Sequence, residues 1–267
     1  MAQRTLMLND DRLMPQLGLG TYKLPDSQAA MVVREALDLG YRLIDTASIY
    51  GNERGVGEGV HGQDAFVTTK LWNDRQEDVA AALDESLALL GADAVDLYLI
   101  HWPRPDDGHF VEAWREMVRL RDAGLTRSIG VSNFLPEHFD AIIDATGVVP
   151  AVNQIELHPR FQQRELRAYH ERHGIVTQSW SPLGQGGALL RDPAIVEIAA
   201  KHGRSAAPVV IAWHLQHGLS VIPKAGDPAH LAENFAATEL TLDADDIAAI
   251  DALDDPDGRI GPDPRSF

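Results

Sequence analysis

The stretch VDLYLIHWPRPDDGHFVEAWREMVRLRDAGLTRSIGVSNF, residues 95–134, carries the reading on which the fold turns. VDLYLI (95–100) is an apolar run of strand length. HFVEAWREMVRLRDAG (109–124) then spaces its apolar residues three and four apart and stops at Gly124, and RSIGV (127–131) is strand-like again. Strand, helix, strand at this spacing predicts a β-α-β unit, whose two strands run parallel. The same alternation extends outward, through LGLG (17–20), RLID (42–45) and AFVTTK (65–70) on one side and VNQIEL (152–157), IVTQSW (175–180) and LSVIP (219–223) on the other. Helical stretches lie between them. Asp26 or Ser27 is placed to cap the first helix, and Gly40, Gly91, Gly124 and Gly174 stand where left-handed C-terminal turns would end helices.

Eight strands alternating with helices leave two closures, an open doubly wound sheet or a (β/α)8 barrel. No Pro/Gly/Ser-rich linker interrupts the chain before its tail, DDPDGRIGPDPRSF (254–267). The expectation is therefore one barrel domain over residues 1–267, with the C-terminal helix and tail over it. TLMLNDDRLMP (5–15) reads as a β-hairpin turning at Asn9–Asp11, able to plug the N-terminal end of the barrel. A chain of 267 residues buries roughly 70–75% of its unfolded surface in one core.

The net charge of −17 argues against nucleic acid and anionic membranes as partners, because both are held through Lys and Arg. With no cysteine in the chain, disulfides, zinc-thiolate sites and cysteine nucleophiles are excluded. No apolar run reaches the ~20 residues of a spanning helix, and MAQRTLMLND lacks a secretory pattern. The expected location is the cytoplasm.

In a barrel, chemistry gathers at the C-terminal ends of the strands. Strand two ends in Asp45 with Tyr50 in the following loop, strand three in Lys70 and strand four in His101. Taken singly, an Asp after a strand is usually a turn residue and a Lys is usually solvated. Four such groups on three neighbouring strands, roughly 4.8 Å apart, can converge on one spot. A phenol titrates near 10; a buried ammonium beside it is expected to lower that value, with a carboxylate keeping the lysine charged. With His101 holding the oxygen, the set would polarise and protonate a carbonyl. What it lacks is an electron source.

GLGTYK (18–23), RLIDTASIYGNE (42–53), TTKLW (68–72), LYLIHWP (97–103), SIGVSNF (128–134), VNQIELHP (152–159), QSWSPLG (178–184) and VIPK (221–224) together resemble the aldo-keto reductase family, in its order and along almost the whole chain. The nearest resemblance is to the bacterial 2,5-diketo-D-gluconate reductase-like group. It implies a catalytic set of Asp45, Tyr50, Lys70 and His101, Tyr50 being the general acid. It also implies NADPH bound across the barrel mouth without a Rossmann domain. Ser132, Asn133 and Gln154 would hold the carboxamide, and Trp180 would stack on the nicotinamide. Gly20, Thr21, Tyr22, Asp45 and Ile222 complete the inner cofactor contacts. The loop after strand seven would contribute Ser181, Leu183, Gln185 and Gly186. After strand eight, Lys224, Ala225, Gly226 and His230 would face the 2′-phosphate, and Glu233 and Asn234 the adenine.

Two positions depart from the family: Ala225 replaces its usual Ser and His230 its usual Arg. A mostly neutral imidazole offers no bidentate fork to phosphate, so NADH is expected to be usable too. Substrate selection falls to Tyr22, Ile49, Trp72, His101, Trp102 and the C-terminal tail, which the resemblance implies drapes over the mouth. The tail is short, which predicts an open pocket, with Arg265 as its one reachable guanidinium. The substrate expected is a small aldehyde, ketone, diketone or keto-sugar, and the family resemblance implies a monomer.

Other motifs are weaker. GLGTYK has Lys23 where a dinucleotide fingerprint needs its third glycine. HERH (170–173) lacks the HExxH spacing of a zinc site, so no metal is expected. DADD (243–246) reads as N-terminal capping of the last helix. Because some members of the family are redox-sensing regulatory subunits of channels, a cofactor-binding sensor with little turnover is the alternative. A hydrolase would need paired carboxylates or a Ser–His pair at the mouth.

Overall fold

Antiparallel strands β1 (Thr5–Met7) and β2 (Leu13–Pro15) open the chain, with the expected turn between them and Asp11 in the left-handed region at φ 66°. The computed structural model describes residues 3–267. After the hairpin come β3 (Leu19–Gly20), α1 (Asp26–Leu39), β4 (Leu43–Asp45), α2 (Glu53–Val60), β5 (Phe66–Leu71), α3 (Val79–Leu90) and β6 (Val95–Ile100). The second half runs α4 (Phe110–Asp122), β7 (Thr126–Ser132), α5 (Pro136–Thr146), β8 (Val152–Glu156), α6 (Arg164–His173) and β9 (Val176–Trp180). It ends with α7 (Pro193–Lys201), α8 (Ala206–Gln216), β10 (Ser220–Val221), α9 (Pro228–Phe235) and α10 (Ala244–Asp251).

Strands β3 to β10 pair in parallel in sequence order, and the bridges Leu17↔Val221 and Gly20↔Lys224 join the last to the first. The sheet is thus a closed (β/α)8 barrel. Its seam is tight: a Cβ on Gly20 would lie 2.8 Å from the Ile222 carbonyl oxygen, so only glycine lets the two chains meet there. Strands one and eight are shorter than the runs LGLG and LSVIP suggest, because much of the seam is made by these isolated bridges.

The helices follow from their apolar spacing. In α1 the buried residues are Ala29, Val32, Val33, Ala36 and Leu37, one stripe laid against the sheet. Gly40 ends that helix at φ 113°, returning its N–H to the carbonyls of Ala36 and Leu37. Gly91 and Gly174 do the same for α3 and α6, whereas α4 ends at Ala123 with Gly124 one residue beyond. The expected N-cap of α1 is corrected: Pro25 occupies it without a side-chain bond, and Asp26 Oδ1 instead accepts from the Gly55 N–H of α2 at 2.8 Å. Helix α8 is buried from Pro208 to Leu215, since α7 and α9 cover it on both flanks. Asp243 caps α10 through the N–H groups of Asp245 and Asp246, as DADD suggested.

The core has two parts. Between sheet and helices lies the larger one, which includes Trp114 and Trp213 at full burial. Inside the barrel floor, Leu8 and Met14 of the hairpin pack with Leu43, Leu97, Leu99 and Val152. No helix among the described residues is long and apolar enough to cross a membrane.

Candidate active site at the barrel mouth

Asp45 is the last residue of β4 and Lys70 lies near the end of β5, both essentially inaccessible to solvent. Lys70 Nζ donates to Asp45 Oδ1 at 2.6 Å and to the Thr46 carbonyl at 2.7 Å. Gln154 Nε2 on β8 takes the other carboxylate oxygen at 2.7 Å and also donates to Gln178 Oε1 at 2.6 Å. Tyr50 sits in a short helical turn, Ser48–Tyr50, ended by Gly51 at φ 65°. Asn52 fixes that turn, accepting from Thr46 Oγ1 and donating to the carbonyls of Thr21 and Leu24. Lys70 Nζ lies 5.0 Å from the Tyr50 ring centroid, and the rings of Tyr50 and His101 stand edge to face at 5.8 Å. Trp72 packs edge-on against His101 at 5.0 Å. The structure therefore brings together the four residues that the strand ends suggested.

Burial governs their protonation. It pushes the Tyr50 phenol well above its usual value, and the Asp45 and Tyr22 charges push the same way. The expected net lowering is corrected: burial outweighs the pull of the nearby Lys70 ammonium, and the phenol stays protonated. Burial, then the Lys70 charge, takes His101 well below the usual imidazole range, so the ring is neutral at pH 7. Its Nδ1 is buried without a partner. Within the ion pair, burial draws Lys70 down and Asp45 up, and their attraction opposes both.

A cavity of about 910 Å3 opens over these groups. One end is walled by Tyr22, Ile49, Tyr50, Trp72, His101 and Trp102; the middle holds Gly20, Ser132, Asn133, Gln154, Trp180 and Ile222. Asn133 is committed within the protein: its Nδ2 donates to the His101 carbonyl and Ser132 Oγ, and its Oδ1 accepts from Trp180 Nε1 at 2.8 Å. Those bonds hold Trp180 and the backbone of His101 in one frame. The outer arm is lined by Ser181, Leu183, Gln185 and Gly186 after β9, and by Lys224, His230, Glu233 and Asn234 around α9. Of the seven non-glycine residues with positive φ among the described residues, four (Lys23, Asn133, Ser181 and Gln185) line this cavity, a concentration of strain typical of a functional site.

An elongated cleft with a carboxamide side chain and an indole midway, and an exposed lysine at the start of a helix, has the donor chemistry for a dinucleotide. The family model of the aldo/keto reductases matches residues 16–255. The chain belongs to that family. The reductase is 49% identical to "Methylglyoxal reductase DkgA" of Yersinia pestis, over 99% of this chain and 98% of that protein. The protein of the same name from Escherichia coli K12 is 47% identical over 100% and 99%. Among solved structures, Gox0644, crystallised as a mutant in complex with NADPH, superposes with a TM-score of 0.97 at 52% identity, covering 100% of this chain and 99% of that one.

Three residues expected in the cofactor site do not line the cavity of this reductase. Thr21 is fully buried with Oγ1 bonded to the Asp45 carbonyl, Ala225 is packed in the core, and a Cβ on Gly226 would lie 3.6 Å from Leu24 Cδ1 and 3.7 Å from Lys224 Nζ. Arg265 also stays outside, near Glu137 and Asp263 at 3.8 and 3.6 Å. The tail closes the mouth further than its length suggests: Gly261, Pro262 and Phe267 line the cavity, and Phe267 packs on Trp102 at 4.7 Å. Lys23, Pro182, Leu190, Ser205, Ala206, Ala207 and Pro223 line it without having been singled out. Ser205 had a legible signal, a serine opening the helix AAPVV; its Oγ donates to Glu233 Oε1. The HERH histidines serve packing: His170 bonds Asn153 and Thr177, and His173 stacks on Tyr169 at 4.1 Å.

Proposed function

We propose that this reductase uses NADPH to reduce small carbonyl compounds, with 2-oxoaldehydes such as methylglyoxal as its substrate class. The observation that carries the reading is the meeting, at one cavity wall, of a protonated phenol, a neutral imidazole and Asp45, with Lys70 buried behind on the carboxylate. The similarity to methylglyoxal reductases near 48% identity and to the NADPH-bound neighbour supports it.

When bound, the dinucleotide supplies the hydride. Gln154 and Ser132 would hold its carboxamide, Trp180 its ring, and Lys224 with the start of α9 its phosphates. His101 donates from Nε2 to the substrate oxygen; the proton sits there because Nδ1 is buried with no acceptor. As negative charge grows on that oxygen, Tyr50 transfers the phenolic proton to it, a step worth about 10²–10⁴ in rate. Lys70 stabilises the phenolate left behind, and Asp45 keeps Lys70 in place. Trp72, Trp102 and Ile49 shape the substrate end. Because His230 stands at the outer arm with Ala225 packed away, NADH is accepted as well. We read the chain as one domain acting as a monomer in the cytoplasm; closure of all eight parallel strands into one barrel supports the single domain.

The test is absorbance at 340 nm with NADPH or NADH and a panel of aldehydes, 2-oxoaldehydes and keto-sugars. Steady turnover of 2-oxoaldehydes is the expected result. Tight NADPH binding with no turnover on any carbonyl would instead fit a redox-sensing subunit.

A further inference from the structure

One buried carboxylate takes two successive backbone amides of the tail, beside the contacts of Arg259 with Phe161 and of Phe267 with Trp102. Glu156 ends β8 paired with Trp180 on β9, and its side chain is 1% exposed. Its Oε1 accepts from the Ile260 N–H at 2.6 Å and its Oε2 from the Gly261 N–H at 2.7 Å. His158 Nε2 lies 3.1 Å from Oε1 and supports the carboxylate from behind. Two successive backbone donors on the two oxygens of one carboxylate form a charge-assisted clamp.

Among the described residues, these are the hydrogen bonds that tie residues 259–267 to the barrel. The others in this segment are internal, such as Ser266 and Phe267 N–H to the Asp263 carbonyl, each at 3.1 Å. Immediately past the clamp the tail meets the site. A Cβ on Gly261 would fall 2.5 Å from Trp180 Cη2, so the backbone lies directly on the indole. Pro262 and Phe267 then form part of the wall at Trp102.

We propose that Glu156 is a positioning residue: it latches the C-terminal tail and, through it, sets the substrate end of the cavity. The kinetic consequence rests on the carbonyl-reductase reading above; the structural one does not. In Glu156→Gln the carboxamide offers one acceptor oxygen and an NH2 group with two donors, so one tail amide faces another donor and the clamp opens.

Two measurements test this on the full-length protein. Hydrogen–deuterium exchange reads the latch directly: the amides of Ile260 and Gly261 exchange slowly in the parent protein and at least tenfold faster in Glu156→Gln, with the acceleration confined to the tail. Kinetics read its effect. KM for a phenyl-substituted 2-oxoaldehyde should rise about tenfold, equivalent to ~1.4 kcal/mol, and by much more than KM for methylglyoxal, with kcat changing less than KM. The same should hold for Phe267→Ala, and the double variant should be no worse than the worse single one. The proposal fails if the parent amides exchange as fast as an unstructured chain, if Glu156→Gln leaves their exchange unchanged, or if the two KM effects multiply. Parent exchange does not depend on Glu156→Gln folding. Lack of turnover on every carbonyl would overturn the reductase reading and leave the exchange result to judge the latch.

Discussion

The floor and the mouth of the barrel are built from the same strands and differ in what those strands turn inward. Along β4 the interior residues run from Leu43 to Asp45, and along β8 from Val152 to Gln154. From β6 the inward line passes from Leu97 and Leu99 to His101, just beyond the strand. The floor is dry hydrocarbon, sealed by Leu8 and Met14 of the hairpin. Two residues higher the interior is equally inaccessible and yet carries an ammonium, a carboxylate and an imidazole. Burial therefore does opposite things at the two levels. Below, it is the stabilising term; above, it displaces protonation equilibria and is tolerated because each charge has a partner.

Breaking the upper pair should cost most. Lys70→Met leaves Asp45 buried without its cation, and unfolding in denaturant should show a loss of roughly 3–5 kcal/mol. An unchanged midpoint would mean that the pair is not buried as described. The contrasting change, Met14→Ala at the floor, should cost about 2–5 kcal/mol through the cavity it leaves, with kcat close to the parent value. A large fall in kcat there would show that floor and mouth are not separable.

Further out, His230→Arg should raise the preference for NADPH over NADH by roughly 1–3 kcal/mol if a charge-assisted fork to phosphate forms; isothermal titration with both dinucleotides reads it. The smallest effect is a slope with pH. Burial holds His170 and His214 neutral, taking each down to about 3, whereas an unfolded histidine titrates near 6.5. Between those values the unfolded chain binds more protons, so stability falls as pH falls below about 6.5, by up to ~1.4 kcal/mol per pH unit per histidine. His170→Gln and His214→Gln should each flatten that slope; unaltered slopes would remove these groups from the acid response.

The alternation of strand and helix was legible because each apolar stripe faces a single partner layer. The strand-end residues were legible for a related reason, since parallel strands deliver their last side chains to one rim. Thr21 and Ala225 turn their side chains away from the cavity, and adjacency along the chain does not say which way a side chain turns at a seam closed by isolated bridges. Asp26 misled because its carboxylate found the N–H of Gly55 on another helix, a tertiary contact that local capping rules omit. The clamp of Glu156 on Ile260 and Gly261 joins positions more than a hundred residues apart. Nothing local announces it. The direction of the Tyr50 shift was hidden because its largest cause is burial, and residue types at strand ends do not say how completely a loop tyrosine is enclosed.

Proton donation by Tyr50 is the step on which the chemistry turns, and the direct measurement compares NADPH affinity with carbonyl turnover in Tyr50→Phe. The expected result is affinity within a few fold of the parent and turnover lower by at least about 10²-fold. Turnover equal to the parent's, at unchanged affinity, would contradict it.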